Sequence, residues 1–452
     1  MARRIIVVGS GAAGMTAAST ARSVSRDAII DVFTEDRYIA YSPCAIPFVI
    51  EGKIKDFGSI VMHTPEWYEK ERAIKVHTST KVTSVDVDAR KLTTSKGEAY
   101  QFDSLVLATG GTVLFPPVEG TKLPGVFPVR WISDGQAILD ALPGSSDVVV
   151  VGAGVIGLEM AVALRHRGKN VTVVEMFDQV VPRIIDQDMA KEVQSHCESL
   201  GIRFMLGTPL GSISGNGKVE KVIVSGREIP CDMVIMATGV RANLELPNMI
   251  GLDIGALGAV RVSPTLQPYR KGRLLKDVYL AGDVVMCESS VAPGPTMSQL
   301  GSSALRQGRV AGINAAGGYA THPGVSSPFI SLIGEIQIGG AGLSKGLADY
   351  YGIRTVEGKA SGLTRARYYP GGKPLTVKVL ADVSTHRLVG AQVIAGEEVN
   401  GRINWLSAVI NKRTTVEEFL NEMENAYCPP TSMVRDTVFD AIEDVARKLV
   451  PQ

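Results

Sequence analysis

One cysteine stands apart because of its neighbours. In Tyr41-Ser42-Pro43-Cys44-Ala45-Ile46-Pro47-Phe48 a single thiol lies between two prolines. Pro43 restricts the local backbone and Pro47 fits only the first turn of a helix. Cys44 is therefore expected near a helix N-terminus, where unpaired N–H groups favour an anion. A free thiol has a pKa of about 8.5, and such surroundings lower it to roughly 3.5–7.5, which makes it a nucleophile at neutral pH. The other cysteines, Cys197, Cys231, Cys287 and Cys428, are scattered and form no Cys-x-x-Cys pair. An odd, dispersed set argues against a disulfide framework or a metal centre and suits a reducing, cytoplasmic setting.

Two glycine loops supply the second kind of chemistry. The apolar run Ile5 to Val8 reads as a buried strand, and Gly9-Ser10-Gly11-Ala12-Ala13-Gly14 and an Ala-rich helical stretch to about Arg22 follow it. Glycines allow the tight turn, close backbone approach to a pyrophosphate and close helix packing, and the helix N-terminus supplies N–H groups and a positive dipole. The next strand, Ile29 to Phe33, is followed by Glu35, at the distance a ribose-binding acid requires. The unit then recurs as Val148 to Val151, Gly152-Ala153-Gly154-Val155-Ile156-Gly157, a helix through Leu164 and a strand Val171 to Val174 ending at Glu175. A carboxylate there accepts a ribose hydroxyl and repels a 2′-phosphate, so NAD is favoured over NADP. Two complete units in one chain imply two dinucleotides.

The elements around these loops follow a pattern. Leu105-Val106-Leu107-Ala108-Thr109-Gly110-Gly111 and Val234-Ile235-Met236-Ala237-Thr238-Gly239 are short buried strands with matching ends, each breaking at a glycine where the backbone passes a ligand or changes domain. Val278-Tyr279-Leu280-Ala281-Gly282-Asp283 is a third, ending in an acid that could accept a ribityl hydroxyl or merely close a turn. From about Ser326 the runs Leu375 to Leu380 and Leu388 to Ile394 read as strands, and Arg402 to Asn411 and Val416 to Glu424 as amphipathic helices.

Length and composition bound the rest. At 452 residues the chain predicts two or three domains. A formal charge of +1 lacks the basic excess of a nucleic-acid binder. The apolar run at the N-terminus is only four residues long before Gly9, too short for a signal peptide. Val148 to Leu158 stops at Glu159, too short to span a membrane.

Taken together, both glycine loops, both Ala-Thr-Gly ends, Ala281-Gly282-Asp283 and Ser42-Pro43-Cys44-Ala45-Ile46-Pro47 resemble, in order and over nearly the whole chain, the pyridine nucleotide-disulfide oxidoreductases. The likeness is to their single-cysteine branch of coenzyme A-disulfide reductases and related NADH oxidases. It implies an α/β fold of two Rossmann-like dinucleotide-binding domains plus a C-terminal α+β dimerisation domain. Residues 1–112 and 245–325 would hold FAD, 113–244 would hold NAD, and 326–452 would form a homodimer interface. Gly9, Gly11, Ala12, Ala13, Gly14, Glu35, Thr109, Gly110 and Asp283 would then contact FAD, and Gly152, Gly154, Ile156, Gly157, Glu159, Glu175 and Gly239 the NADH. Where many members carry an acid ten positions before the cysteine this chain has Thr34, with Glu35 one place on.

What is missing narrows the branch. The dithiol members carry a second cysteine five positions on, where this chain has Val49, so the partner of Cys44 is external. The catalytic His of the dithiol reductases is replaced by Tyr427 in Ala426-Tyr427-Cys428-Pro429-Pro430, and the His that peroxidases carry in the first loop is replaced by Ala12 and Ala13. Arg367-Tyr368-Tyr369-Pro370-Gly371 also resembles the coenzyme A-disulfide reductases, whose tyrosines reach the cysteine of the other subunit. Tyr369 with Tyr427 is the implied pair, with Tyr368 the alternative to Tyr369. The implied reaction is NADH-driven reduction of coenzyme A disulfide or a related small disulfide or persulfide, with coenzyme A a candidate thiol at Cys44. Competing readings are an NADH oxidase using oxygen and an NAD-linked electron-transfer subunit. The chain ends without the sulfurtransferase domain that persulfide reductases of the branch append, so sulfur transfer would need a separate protein. Arg22 is a weak candidate for a phosphate contact.

Overall fold

A computed structural model describes residues 2–449. Its first sheet is five parallel strands in the order Val278–Leu280, Ser104–Leu107, Arg4–Val8, Ile29–Phe33 and Ile74–His77. Ile5, Ile6, Val7, Leu105, Val106 and Leu107 are all fully buried, as expected of strands covered on both faces. One covering layer is the helix Ala12–Val24, which packs on the much later helix Gly301–Ala315. Their contact is backbone against backbone. A Cβ added at Gly308 would lie 2.3 Å from the Ala13 carbonyl oxygen, and one at Gly312 2.4 Å from that of Ala17. Small residues on both helices permit this approach, which ties residues 278–315 to the N-terminal unit.

The second parallel sheet repeats the plan, in the order Arg203–Met205, Asn170–Val174, Asp147–Val151, Met233–Met236 and Val126–Pro128. Val149 stands beside Thr172 on one side and Val234 on the other. The chain enters and leaves this unit through one short antiparallel ribbon, Gly111–Val113 beside Val240–Ala242. Each parallel sheet has a three-stranded antiparallel meander inserted before one of its strands: Val82–Asp86, Lys91–Thr94 and Ala99–Gln101 in the first, Leu210–Ser214, Lys221–Val224 and Arg227–Pro230 in the second. The sequence reading missed both, because strands of three to five residues with one face in water carry little periodic signal.

The C-terminal part is an antiparallel sheet, Phe329–Ile333, Ile336–Gly342, Leu388–Ala395, Pro374–Asp382 and Thr355–Leu363. Helices Val399–Asn411 and Thr437–Leu449 pack on it, with Val377, Val393, Leu406, Phe419 and Ile442 in its core. The helix expected over Val416 to Glu424 ends at Glu422. Among the described residues no helix is long and apolar enough to cross a membrane.

Candidate active site

The two glycine loops fold alike. Gly9 has φ +107° and Gly152 φ +103°, a region that side chains avoid. A Cβ on Gly14 would meet the Gly9 oxygen at 1.9 Å, and one on Gly157 the Gly152 oxygen at 1.9 Å, so the third glycine of each loop lets its helix touch the turn. The middle ones, Gly11 and Gly154, have nothing within 4 Å of an added Cβ. Each is the N-cap of its helix, with no side chain bonded to the first-turn N–H groups. At both loops the helix start is therefore an open cradle whose first-turn N–H groups have no side-chain partner.

The first cradle opens into a cavity of about 1180 Å³ whose wall also carries Cys44. Gly9, Gly11, Ala12, Ala13, Glu35, Thr109, Gly110 and Asp283 line it, and Ile156 and Glu159 of the second unit line its far side. The cavity thus brings together a phosphate cradle, a thiol and one end of the second loop. Gly14 lies behind the turn it packs on, while Gly152, Gly154, Gly157, Glu175 and Gly239 lie outside this wall.

Particular contacts refine the sequence reading. Thr34 is buried and takes a hydrogen bond from Ser10, whereas Glu35 is exposed; both line the cavity. Asp283 is not free: Arg130 donates to it at 2.9 Å. Arg130 lines the same cavity, and its Nε is buried with no partner, a donor that a phosphate oxygen would satisfy. No local pattern marked Arg130 in the sequence; the structure brings it to Asp283, 153 positions further along the chain. Glu175 is buried and accepts from the N–H groups of Ala153 at 2.8 Å and Phe177 at 2.9 Å, so it braces its own glycine loop. Arg22 gives its N–H groups to the carbonyls of Arg26, Arg72 and Ala73 and so ties down a helix end.

Cys44 sits in the helical turn Pro43–Ala45, directly before the helix Ile46–Glu51, and is exposed. Tyr41, just before it, donates to Asp36 at 2.8 Å; burial, together with that carboxylate, holds the phenol protonated well above its usual range. Val49, five residues after Cys44, is buried in the core. Burial pushes Cys197 and Cys231 to about 12 and Cys287 to about 11, which keeps all three as inert thiols. Glu159 is pushed by burial to about 7, against the opposing effect of a hydrogen bond from Ser331 at 2.7 Å.

Tyr427 and Tyr369 do not line the cavity of their own chain. Both are partly exposed, and it is Tyr368 whose hydroxyl bonds that of Tyr427, a contact that raises the Tyr427 pKa. Within one chain the hydroxyl partner of Tyr427 is thus Tyr368, and Tyr369 lies beside this pair in sequence.

A family profile described as pyridine nucleotide-disulphide oxidoreductase matches residues 3–308. The chain belongs to that family. The dimerisation domain of the same pyridine nucleotide-disulphide oxidoreductases matches residues 330–437. An NADH oxidase of Methanocaldococcus jannaschii is 46% identical over 452 residues, covering 99% of each chain. An NAD(P)H sulfur oxidoreductase (CoA-dependent) of Pyrococcus furiosus is 34% identical over 441 residues, covering 96% of this chain and 97% of its own. Among solved structures, an NAD-dependent persulfide reductase from A. fulgidus superposes with a TM-score of 0.94 at 30% identity, covering 98% of this chain and 83% of that one. As a pyridine nucleotide-disulphide oxidoreductase the protein is a flavin-dependent NAD(P)H oxidoreductase, with FAD and NAD(H) as its cofactors. The two cradles fit them: the Gly9 to Gly14 turn with Arg130 and Glu35 would hold the FAD pyrophosphate and ribose, and the Gly152 to Gly157 turn the nicotinamide dinucleotide.

Proposed function

We propose that the protein is an NADH-dependent reductase of coenzyme A disulfide or a related small disulfide or persulfide, working through Cys44. The observation that carries this reading is that Cys44 is the one cysteine on the wall of the cavity. With Val49 in place of a second thiol, the sulfur that pairs with Cys44 must come from the substrate. When bound, FAD accepts a hydride from NADH and returns two electrons to a disulfide. Cys44 as thiolate attacks one sulfur of the substrate, forms a mixed disulfide and releases the other half as a thiolate. Two electrons and a proton then regenerate the Cys44 thiolate and free the second thiol, so one NADH reduces one disulfide to two thiols. Tyr427, paired with Tyr368, reaches the Cys44 of the other subunit in a homodimer and protonates the departing thiolate. Cys44 and its short helix orient the sulfur toward the cavity. Glu175 disfavours the extra phosphate of NADPH, and a cytoplasmic location suits the reduced thiols.

A second reading, reduction of oxygen, is favoured by the 46% identical relative named an NADH oxidase; Cys44 would then cycle through a sulfenic acid. NADH consumption measured side by side with coenzyme A disulfide, polysulfide and oxygen separates the two. The disulfide reading expects the highest kcat/KM with a sulfur substrate and loss of that activity in Cys44→Ser, with flavin still reduced by NADH. Preference for oxygen, or full disulfide turnover in Cys44→Ser, would overturn it.

A further inference from the structure

Lysine is seldom buried, and Lys378 is buried among three acids. On the strand Pro374–Asp382 its side chain is only 5% exposed, and its ammonium lies 2.8 Å from Glu357, 2.9 Å from Asp188 and 3.0 Å from Asp186. Burial alone would lower its pKa; the hydrogen bonds it donates to Glu357, Asp188 and Asp186, and their negative charge, outweigh it and hold the ammonium charged. Lys359 adds a second cation at 3.0 Å from Asp188 and 3.2 Å from Glu192.

Asp186 ends a turn that belongs to the second parallel unit, while Lys378 belongs to the C-terminal sheet. The C-terminal part holds this turn at three further points, one on the sheet and two at the start of the helix Lys345–Tyr350. Gln392, 1% exposed, accepts from the Asp186 N–H at 2.8 Å; the Lys345 N–H donates to the Asp186 carboxylate at 2.8 Å; Ser344 donates to the Arg183 carbonyl at 2.8 Å. The turn needs holding. Val181 has φ +47° and Arg183 φ +72°, left-handed conformations that cost a non-glycine residue of order 1–3 kcal/mol each and persist only where the surroundings impose them. For a β-branched valine the position is a clear outlier.

The strain has a location. Val181 donates its N–H to the Ala153 carbonyl, inside the second glycine loop, at 2.8 Å. Three residues on, Ile184 reaches the cavity wall, on the side that carries Ile156 and Glu159. Ser331 of the C-terminal sheet fixes that same Glu159. One sheet therefore fastens both the loop and the wall at the end of the cavity nearest the second cradle.

We propose that Lys378 is a positioning residue for NADH: through Asp186 and Asp188 it holds the strained turn Val181 to Asp186, and with it Ile184, against the second glycine loop. The proposal rests on the reading that the Glu159 and Ile184 end of the cavity receives the nicotinamide. It touches neither Cys44 nor the first cradle, so its effects belong to the NADH half-reaction alone.

The test uses the FAD-loaded protein with Lys378→Met, Lys378→Arg and, as a milder loosening of the same turn, Ser344→Ala. Backbone hydrogen exchange over residues 177–188 and the Kd for NAD⁺ are read beside rapid flavin reduction by NADH and disulfide-driven flavin reoxidation. Lys378→Met is expected to speed exchange in that segment and to weaken NAD⁺ and NADH about tenfold, with the flavin reduction rate at saturation changed less and reoxidation unchanged. Lys378→Arg should recover most of the affinity, and Ile184→Ala should lose affinity with exchange unaltered. Exchange and Kd within twofold of wild type in Lys378→Met would overturn the proposal, as would equal losses in both half-reactions. If Lys378→Met does not fold, Ser344→Ala decides by the same two readouts. Failure of wild-type flavin to accept electrons from NADH would instead remove the underlying reading of the cavity.

Discussion

Glu159→Gln is the most direct probe of the cavity, because its expected effect has a size and a sign. Burial moves the Glu159 carboxyl from 4.5 to about 7. At about 1.4 kcal/mol per pH unit, ionising it in the folded protein costs about 3 kcal/mol more than in the unfolded chain, an upper value because the cavity admits water. Between pH 4.5 and 7 the folded state holds a proton that the unfolded state has lost, so stability falls as pH rises through that window and is level above it. Glutamine keeps the acceptor that Ser331 uses and removes the charge. Glu159→Gln should therefore match wild type near pH 4.5 and exceed it by up to about 3 kcal/mol at pH 8. That corresponds to several degrees in Tm, at roughly 2–4 °C per kcal/mol for a domain of 150–250 residues. Thermal unfolding of both proteins from pH 4.5 to 8.5, FAD-loaded, is the assay. In parallel, flavin reduction by NADH should lose an inflection near pH 7 in the variant. Two Tm curves that stay parallel across the range would refute the argument, because they would mean that Glu159 ionises at its ordinary pH.

Three further outcomes are expected. In the native protein a water-soluble thiol reagent should modify two of the five cysteines quickly, Cys44 and Cys428, and all five only after denaturation; fast reaction of Cys197, Cys231 or Cys287 would contradict their burial. The purified heterodimer of a Cys44→Ser chain and a Tyr427→Phe chain, each inactive in disulfide reduction as a homodimer, should show about half of wild-type activity through the one intact shared site, and no activity would separate Tyr427 from Cys44. Gly308→Ala places a methyl 2.3 Å from the Ala13 carbonyl and should cost roughly 1–3 kcal/mol and loosen FAD, read as a lower Tm and release of flavin; an unchanged Tm would mean the two helices can part.

Both parallel units were legible because each is announced by a buried apolar run, a glycine turn and an acid in fixed order, all within about 30 residues. Cys44 was legible for the same local reason: two prolines fix its backbone. What escaped notice depends on contacts between distant segments. Arg130 has no neighbours in sequence that mark it, and only the fold brings it to Asp283. Ser331 and Lys378 look like ordinary strand residues until their strands are seen against the second unit. Glu175 was placed correctly at a strand end, but that its carboxylate braces Ala153 could not be read from spacing. Tyr368 and Tyr369 are adjacent in sequence, and which hydroxyl meets that of Tyr427, 59 positions on, is a matter of the fold that composition does not record.

The crossing of Ala12–Val24 with Gly301–Ala315 has a consequence for the newborn chain. The strand Val278–Leu280 that completes the first sheet pairs with Ser104–Leu107, laid down some 170 residues earlier. At roughly 5–20 residues per second, translation takes on the order of 10–35 s to cover that gap. Throughout it the edge of Ser104–Leu107 lacks its neighbour and the small-residue face of the first helix lacks its cover, while the inserted second sheet, contiguous from residue 126 to 236, is already whole. An unpaired buried-type strand is a template for wrong partners. The middle of this polypeptide is thus the part that can mature on the ribosome unaided, and the outer unit is the part on which a trigger-type chaperone, or a slow codon stretch after residue 236, would change the yield.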